Sequence, residues 1–149
     1  MIDISSKDVV ERIATASGEI KLKESTVDAI IRRETKKGDV IETARIAGMQ
    51  AAKRTWDTIP YCHQIPISSI NLEFNTQRES ITVRCSVKAV YKTGVEMEAI
   101  SCVQASLLTI WDMVKYLEKD EKGQYPETEI RYVKVDRKTK VSIDASFDR

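Results

Sequence analysis

The sharpest constraint on the fold is a change of hydrophobic period near residue 94. Before it, Ile81, Val83, Cys85, Val87, Ala89 and Tyr91 alternate with polar residues, the period of a half-buried strand. After it, from Gly94 to about Lys119, Ala99, Val103, Leu107, Ile110, Val114 and Leu117 recur at intervals of three and four, the period of one long amphipathic helix. Ile70, Leu72 and Phe74 also alternate, and the connection from Asn75 to Ser80 makes the two strands an antiparallel hairpin.

The flanking segments extend this pattern. Ser25 and Asp28 give an N-cap signal for a short helix with Val27, Ile30 and Ile31 on its apolar face, ending near Lys36. Asp39 is placed to cap a second helix, in which the mostly small Val40, Ala44, Ala47 and Ala51 recur before Pro60. Beyond Pro126, Ile130 to Val135 reads as a strand, with a final one around Val141 to Ala145. Helices alternating with antiparallel strands predict an α+β domain over residues 1–149, with helices packed on one face of the sheet. At 149 residues, 42% of them hydrophobic, the chain has enough apolar material for one core.

Charge and cysteine usage exclude several function classes. Lys and Arg number 24 against 23 Asp and Glu, so no global field draws the chain to nucleic acid or to an anionic membrane. The N-terminal MIDISSKDVV lacks the apolar run of a signal or membrane span, which predicts a cytoplasmic protein. Cys62, Cys85 and Cys102 are widely spaced, an arrangement that indicates neither a disulfide framework nor a structural zinc site. His63 is the single histidine, so any imidazole chemistry belongs to it.

Four clusters are candidates for chemistry. Lys36-Lys37 precede a helix start, where backbone N–H groups already favour an anion. Lys53 adds a cation at the other end of that helix. Tyr61, Cys62 and His63 lie between Pro60 and Pro66, in what must be irregular backbone. Glu96 and Glu98 open the long helix, where acids are also ordinary helix-start residues. Asp112 and Lys115 lie three residues apart late in the same helix, an ion-pair spacing; Trp111 and Met113 beside Asp112 suggest a desolvated lysine of lowered pKa. Glu98 and Asp112 are fourteen residues apart, roughly 21 Å along a continuous helix. They share one small site only if the helix starts after Glu98 or a second subunit supplies one of them, so oligomerisation is expected if both are functional.

Three ordered segments, KKGDVIETARIAGMQAAKRTWDTIPYCH from Lys36, KTGVEMEA from Lys92 and LTIWDMVK from Leu108, together resemble the molybdenum cofactor biosynthesis protein C family. The resemblance implies a cyclic pyranopterin monophosphate synthase, a lyase that rearranges a cyclic dihydro-GTP intermediate to the tricyclic pyranopterin with a cyclic phosphate and releases diphosphate. It further implies a ferredoxin-like fold and a homohexamer built as a trimer of dimers, with the pocket at the dimer interface. By position, Asp112 and Lys115 match the family's catalytic pair, and Lys37 joins them. Tyr61, Cys62, His63, Met97, Glu98, Glu96, Lys53 and Arg12 match substrate-binding positions. Lys115, held by Asp112, would be the general acid/base, while Lys37, Lys53 and Arg12 would neutralise the triphosphate. No metal ligands and no cofactor are implied, apart from Mg²⁺ accompanying a triphosphate.

The C-terminal region departs from the family pattern. Where a mobile glycine-rich loop with a lysine is expected, the chain has Lys134-Val-Asp-Arg-Lys138-Thr-Lys140, basic but without glycine; Lys134 and Lys138 are the available substitutes. One rival reading is a non-catalytic purine-nucleotide-binding module, against which Asp112, Lys115 and His63 stand intact. Another is a ferredoxin-like RNA-binding domain, but the strand Ile81 to Tyr91 lacks the exposed aromatic pair that stacks bases.

Overall fold

The computed structural model describes residues 1–143. Its elements follow the order β1 (Val10–Lys21), α1 (Glu24–Ile31), α2 (Val40–Lys53), α3 (Thr55–Thr58), β2 (Ile67–Thr76), β3 (Ser80–Tyr91), α4 (Glu96–Glu118) and β4 (Glu129–Ser142). The strands form one antiparallel sheet in the order β2-β3-β1-β4. This chain order and strand order make the ferredoxin-like arrangement, with α2 and α4 covering one face.

The sheet's two faces differ as its alternation requires. Ala14, Ala16 and Ile20 of β1 and Val83, Cys85 and Val87 of β3 are buried beneath α4 with Val103, Leu107 and Ile110, and fully burying each Val, Leu or Ile among them is worth about 2 kcal/mol. The open face is polar: Thr15 bonds Ser86 at 2.7 Å, and Glu11 and Glu19 pair with Lys88 and Arg131.

Helix α2 runs against α4 at unusually short range. The Ser106 hydroxyl donates to the Ala44 carbonyl at 3.0 Å. A Cβ on Gly48 would lie 2.3 Å from Ser106 Oγ and 2.9 Å from the Cys102 carbonyl oxygen, so only glycine permits the approach. Contacts from Lys37 to Asp112, Ala44 to Ser106 and Gly48 to Cys102 show the two helices to be antiparallel. The start of α2 therefore sits at the C-terminal end of α4, and Lys53 at the N-terminal end.

Several sequence expectations need correction. β1 was not expected. The two C-terminal strands are one, β4, whose pairing with β1 is interrupted by register shifts at Thr15/Ala16 and Glu19/Ile20; Ala145 lies outside the described residues. The basic Lys134 to Lys140 segment belongs to this strand. Asp39 caps α2 as expected, accepting from the Glu42 N–H at 3.0 Å, a bond worth about 1 kcal/mol. Helix α1, however, ends at Ile31 rather than near Lys36, before Arg33 at φ 57°.

The cap of α1 comes from elsewhere in the chain. Ser25 lies inside the helix, and the buried Glu118 carboxylate accepts from the Lys23 N–H, the Thr26 hydroxyl and the Thr128 hydroxyl. At the end of α4 this acid is buried while Leu117 is only half-buried. Among the described residues, no helix is long and apolar enough to cross a membrane.

Candidate active site

The predicted site residues gather at the two ends of α4. At its C-terminal end, the Lys115 ammonium donates to Asp112 Oδ1 at 2.9 Å. Lys37, delivered by the loop before α2, donates to the Asp112 backbone carbonyl at 3.2 Å and reaches Oδ2 at 3.4 Å. Tyr116 fixes that loop, its hydroxyl accepting from the Lys36 N–H at 2.8 Å. One carboxylate thus lies between two ammonium groups.

Electrostatics here oppose the sequence expectation. The hydrogen bond to Asp112, and then the aspartate's charge, raise the Lys115 pKa above the ordinary lysine value. In return Lys115 and then Lys37 hold the Asp112 carboxyl below the usual carboxylate range. The expected desolvated lysine is absent because the Lys115 side chain keeps 43% of its exposure and Asp112 keeps 56%, so attraction outweighs desolvation.

At the N-terminal end of α4 lies a cavity of about 420 Å³, bounded by Tyr61, Cys62 and His63 of the irregular Pro60 to Pro66 segment and by Glu96, Met97 and Glu98. Glu98 is 3% exposed. Its burial pushes the carboxyl up to about 6, with the Glu96 charge adding to the effect against a bond to its own backbone. Burial and then the charge of Glu98 also raise the Cys62 thiol, which keeps the sulfur protonated and makes it a poor nucleophile. The His63 Nε2–H donates to the Ile2 carbonyl at 2.8 Å, so its partner is backbone from the start of the chain.

A smaller hollow of about 120 Å³ adjoins this cavity through Gly94 and Glu96, and Arg12, Lys138 and Lys140 line it. Lys138 pairs with Glu96 at 2.9 Å. Burial pushes the Glu96 carboxyl up, but the hydrogen bond and charge of Lys138, with its own backbone N–H and Arg12, bring it below the usual range. Arg12 itself braces the turn after β3, donating to the Tyr91 and Lys92 carbonyls at 3.3 and 3.4 Å. A Cβ on Gly94 would lie 2.2 Å from Glu96 Oε2, so glycine is what lets this carboxylate fold back over the turn. Lys53 is exposed at the end of α2, on the side of α4 that carries the cavity but not among its lining residues.

One protomer does not bring the two clusters together. Because α4 is continuous from Glu96 to Glu118, Glu98 and Asp112 stay roughly 21 Å apart along its axis. Sequence reasoning also missed part of the cavity wall, namely Met1, Ile2, Ile4 and Lys7 with Ile65 and Thr93. Apart from Thr93, which lies inside the KTGVEMEA segment, these residues carry no periodicity or motif. Among the described residues, no group of three His, Cys, Asp or Glu side chains converges as a metal site.

Comparison with known proteins identifies the family of the chain. A family model described as MoaC family matches residues 1–141. A Thermoplasma acidophilum protein named "Probable cyclic pyranopterin monophosphate synthase" is 52% identical over 143 residues, covering 96% of this chain and 100% of its own. An Archaeoglobus fulgidus protein of the same name is 54% identical over 140 residues, 94% of this chain and 90% of its own. A Methanothermobacter thermautotrophicus protein, 49% identical over 143 residues (96% and 90%), is named as an accessory protein of that synthase. With a matching model across nearly its whole length and relatives near half identity, the chain belongs to the MoaC family.

Proposed function

We propose that this chain is a cyclic pyranopterin monophosphate synthase of molybdenum cofactor biosynthesis, a lyase that converts cyclic dihydro-GTP to cyclic pyranopterin monophosphate and diphosphate. Family membership supports the activity. The observation that carries the assignment of roles is the Lys37–Asp112–Lys115 arrangement, in which one exposed carboxylate aligns two ammonium groups.

Opening the aminal-like ring and closing the pyran both move protons, and the site holds complementary groups for that task. Lys115, its proton held by Asp112, serves as the general acid and becomes a base once it has given the proton up. Glu98, with its carboxyl near 6, is ionised at neutral pH yet readily protonated; it accepts from the guanine-derived ring. Lys37, Lys53 and Arg12 balance the triphosphate, and charge neutralisation makes diphosphate a better leaving group. His63 contributes a donor to a phosphate or sugar oxygen. We assign no resident metal, since the carboxylates nearest the cavity are already engaged or buried; Mg²⁺ enters this proposal only as a counter-ion of the triphosphate.

The length of α4 supports a site shared between protomers, with the Asp112–Lys115 end of one facing the Glu98 cavity of another. The proposed assembly is a homo-oligomer, a hexamer built as a trimer of dimers. Incubating the purified chain with cyclic dihydro-GTP and following pyranopterin and diphosphate tests the assignment. Formation of both products is expected, and tight binding without conversion would replace it with the nucleotide-binding module.

A further inference from the structure

Residues 1–7 lie across the cavity at the N-terminal end of α4, and two hydrogen bonds from the body of the domain hold them. His63 Nε2–H donates to the Ile2 carbonyl at 2.8 Å, and Lys92 Nζ donates to the Ser5 carbonyl at 3.1 Å. The segment is otherwise braced from within, by the Ser5 N–H to Asp3 Oδ1 at 2.9 Å and the Lys7 N–H to the Ile4 carbonyl at 3.1 Å. Met1 and Ile2 remain 76% and 80% exposed. Among the described residues, these side-chain ties and the half-buried Ile4 fasten the segment, which marks it as an element of low local stability.

The groups that hold the segment are those that hold anions. Lys92 and His63 flank one hollow together with Asp3, Ser5 and Tyr91. Asp3 lies within electrostatic reach of both: Ser5 hydrogen bonds hold its carboxyl below the usual range, and Lys92 and His63 act in the same direction. The Lys92 backbone is itself fixed, because Arg12 donates to its carbonyl. Two side-chain donors, Lys92 on the braced turn after β3 and His63 on the Pro60–Pro66 segment, are thus met by two carbonyl oxygens, with a carboxylate beside them. A phosphoryl group would offer three acceptor oxygens and more negative charge to the same donors.

We propose that Lys92 and His63 form an anion-binding pair for a phosphoryl group, and that residues 1–7 are an internal ligand which that group displaces. Identifying the anion as the substrate's polyphosphate rests on the synthase reading; the displacement does not. Lys92 thereby becomes a binding residue, the Ile2 and Ser5 carbonyls its competitors in the free protein, and Asp3 a neighbouring negative charge that further lowers apparent affinity.

Calorimetric binding of inorganic tripolyphosphate to the full chain tests this without turnover. Asp3→Asn keeps the acceptor for the Ser5 N–H and removes the charge, so it should bind about twofold tighter, the scale of one exposed charge interaction. Lys92→Gln should bind about tenfold weaker, having lost a charge-assisted bond. Amide exchange over residues 1–7 should speed up when tripolyphosphate is added. Equal or weaker binding by Asp3→Asn, unchanged binding by Lys92→Gln, or greater protection of residues 1–7 with ligand would each overturn the proposal. Failure of the synthase reading would instead appear as normal tripolyphosphate binding with no conversion of cyclic dihydro-GTP.

Discussion

Asp112 holds Lys115 at 2.9 Å across a single helical turn, with both side chains about half exposed. The contact keeps a proton on the lysine and leaves the aspartate ionised. Asp112→Asn should therefore fold normally, since exposed pairs contribute little to stability, while turnover falls on the order of a hundredfold. Without the carboxylate, Lys115 should lose its proton at lower pH, shifting the alkaline limb of the rate profile downward. Circular dichroism with a pH–rate series checks both parts, and an unshifted limb with full activity would remove Asp112 from the mechanism.

Glu98 gives the opposite pH signature in stability. Its folded carboxyl titrates at about 6 against an ordinary value of 4.5, so the native state binds the proton more tightly than the unfolded chain. The protonated form favours folding at low pH, and that contribution is lost as pH rises between about 4.5 and about 6. Glu98→Gln should flatten this window and stabilise the chain at pH 7 by about 2 kcal/mol, the linkage value of such a shift. Denaturant melts from pH 4 to pH 7 provide the measurement. The same variant should lose activity, because a neutral amide cannot take the proton.

Glu118 illustrates a buried acid with a structural task. Its carboxylate accepts from the Lys23 N–H and from the Thr26 and Thr128 hydroxyls, tying the start of α1 and the entry to β4 to the end of α4. Glu118→Ala strands these donors in the interior and should cost about 3 kcal/mol. Amide exchange should rise first in α1. A melting curve equal to wild type would show the cap to be dispensable.

The hairpin and α4 were legible because large apolar residues mark their periods, and the Asp39 cap because its chemistry is local. β1 was not, and α4 is the reason. Where the helix crosses the strand, Ala14, Ala16 and Gly18 face it, and a Cβ on Gly18 would lie 2.8 Å from Leu107 and Val103 atoms. The close packing that requires small residues erases the hydrophobic alternation. β4 is largely exposed along its length, so its alternation breaks into two apparent strands. In the candidate site, the motif residues follow from the family resemblance, and their division between two ends of a helix follows from spacing. The rise in the Lys115 pKa does not, because it depends on exposure, and the covering segment does not, because its ties run through the backbone carbonyls of Ile2 and Ser5.

We propose that the synthase site is assembled from opposite ends of α4 in two protomers. It is tested most directly by mixing two separately inactive variants, Lys115→Ala and Glu98→Gln, under conditions that exchange subunits. In each mixed pair one site inherits both substitutions and the other inherits neither, so random pairing should restore conversion of cyclic dihydro-GTP to about a quarter of the wild-type rate. A mixture that stays as inactive as its components, after subunit exchange has been verified, would contradict the shared site.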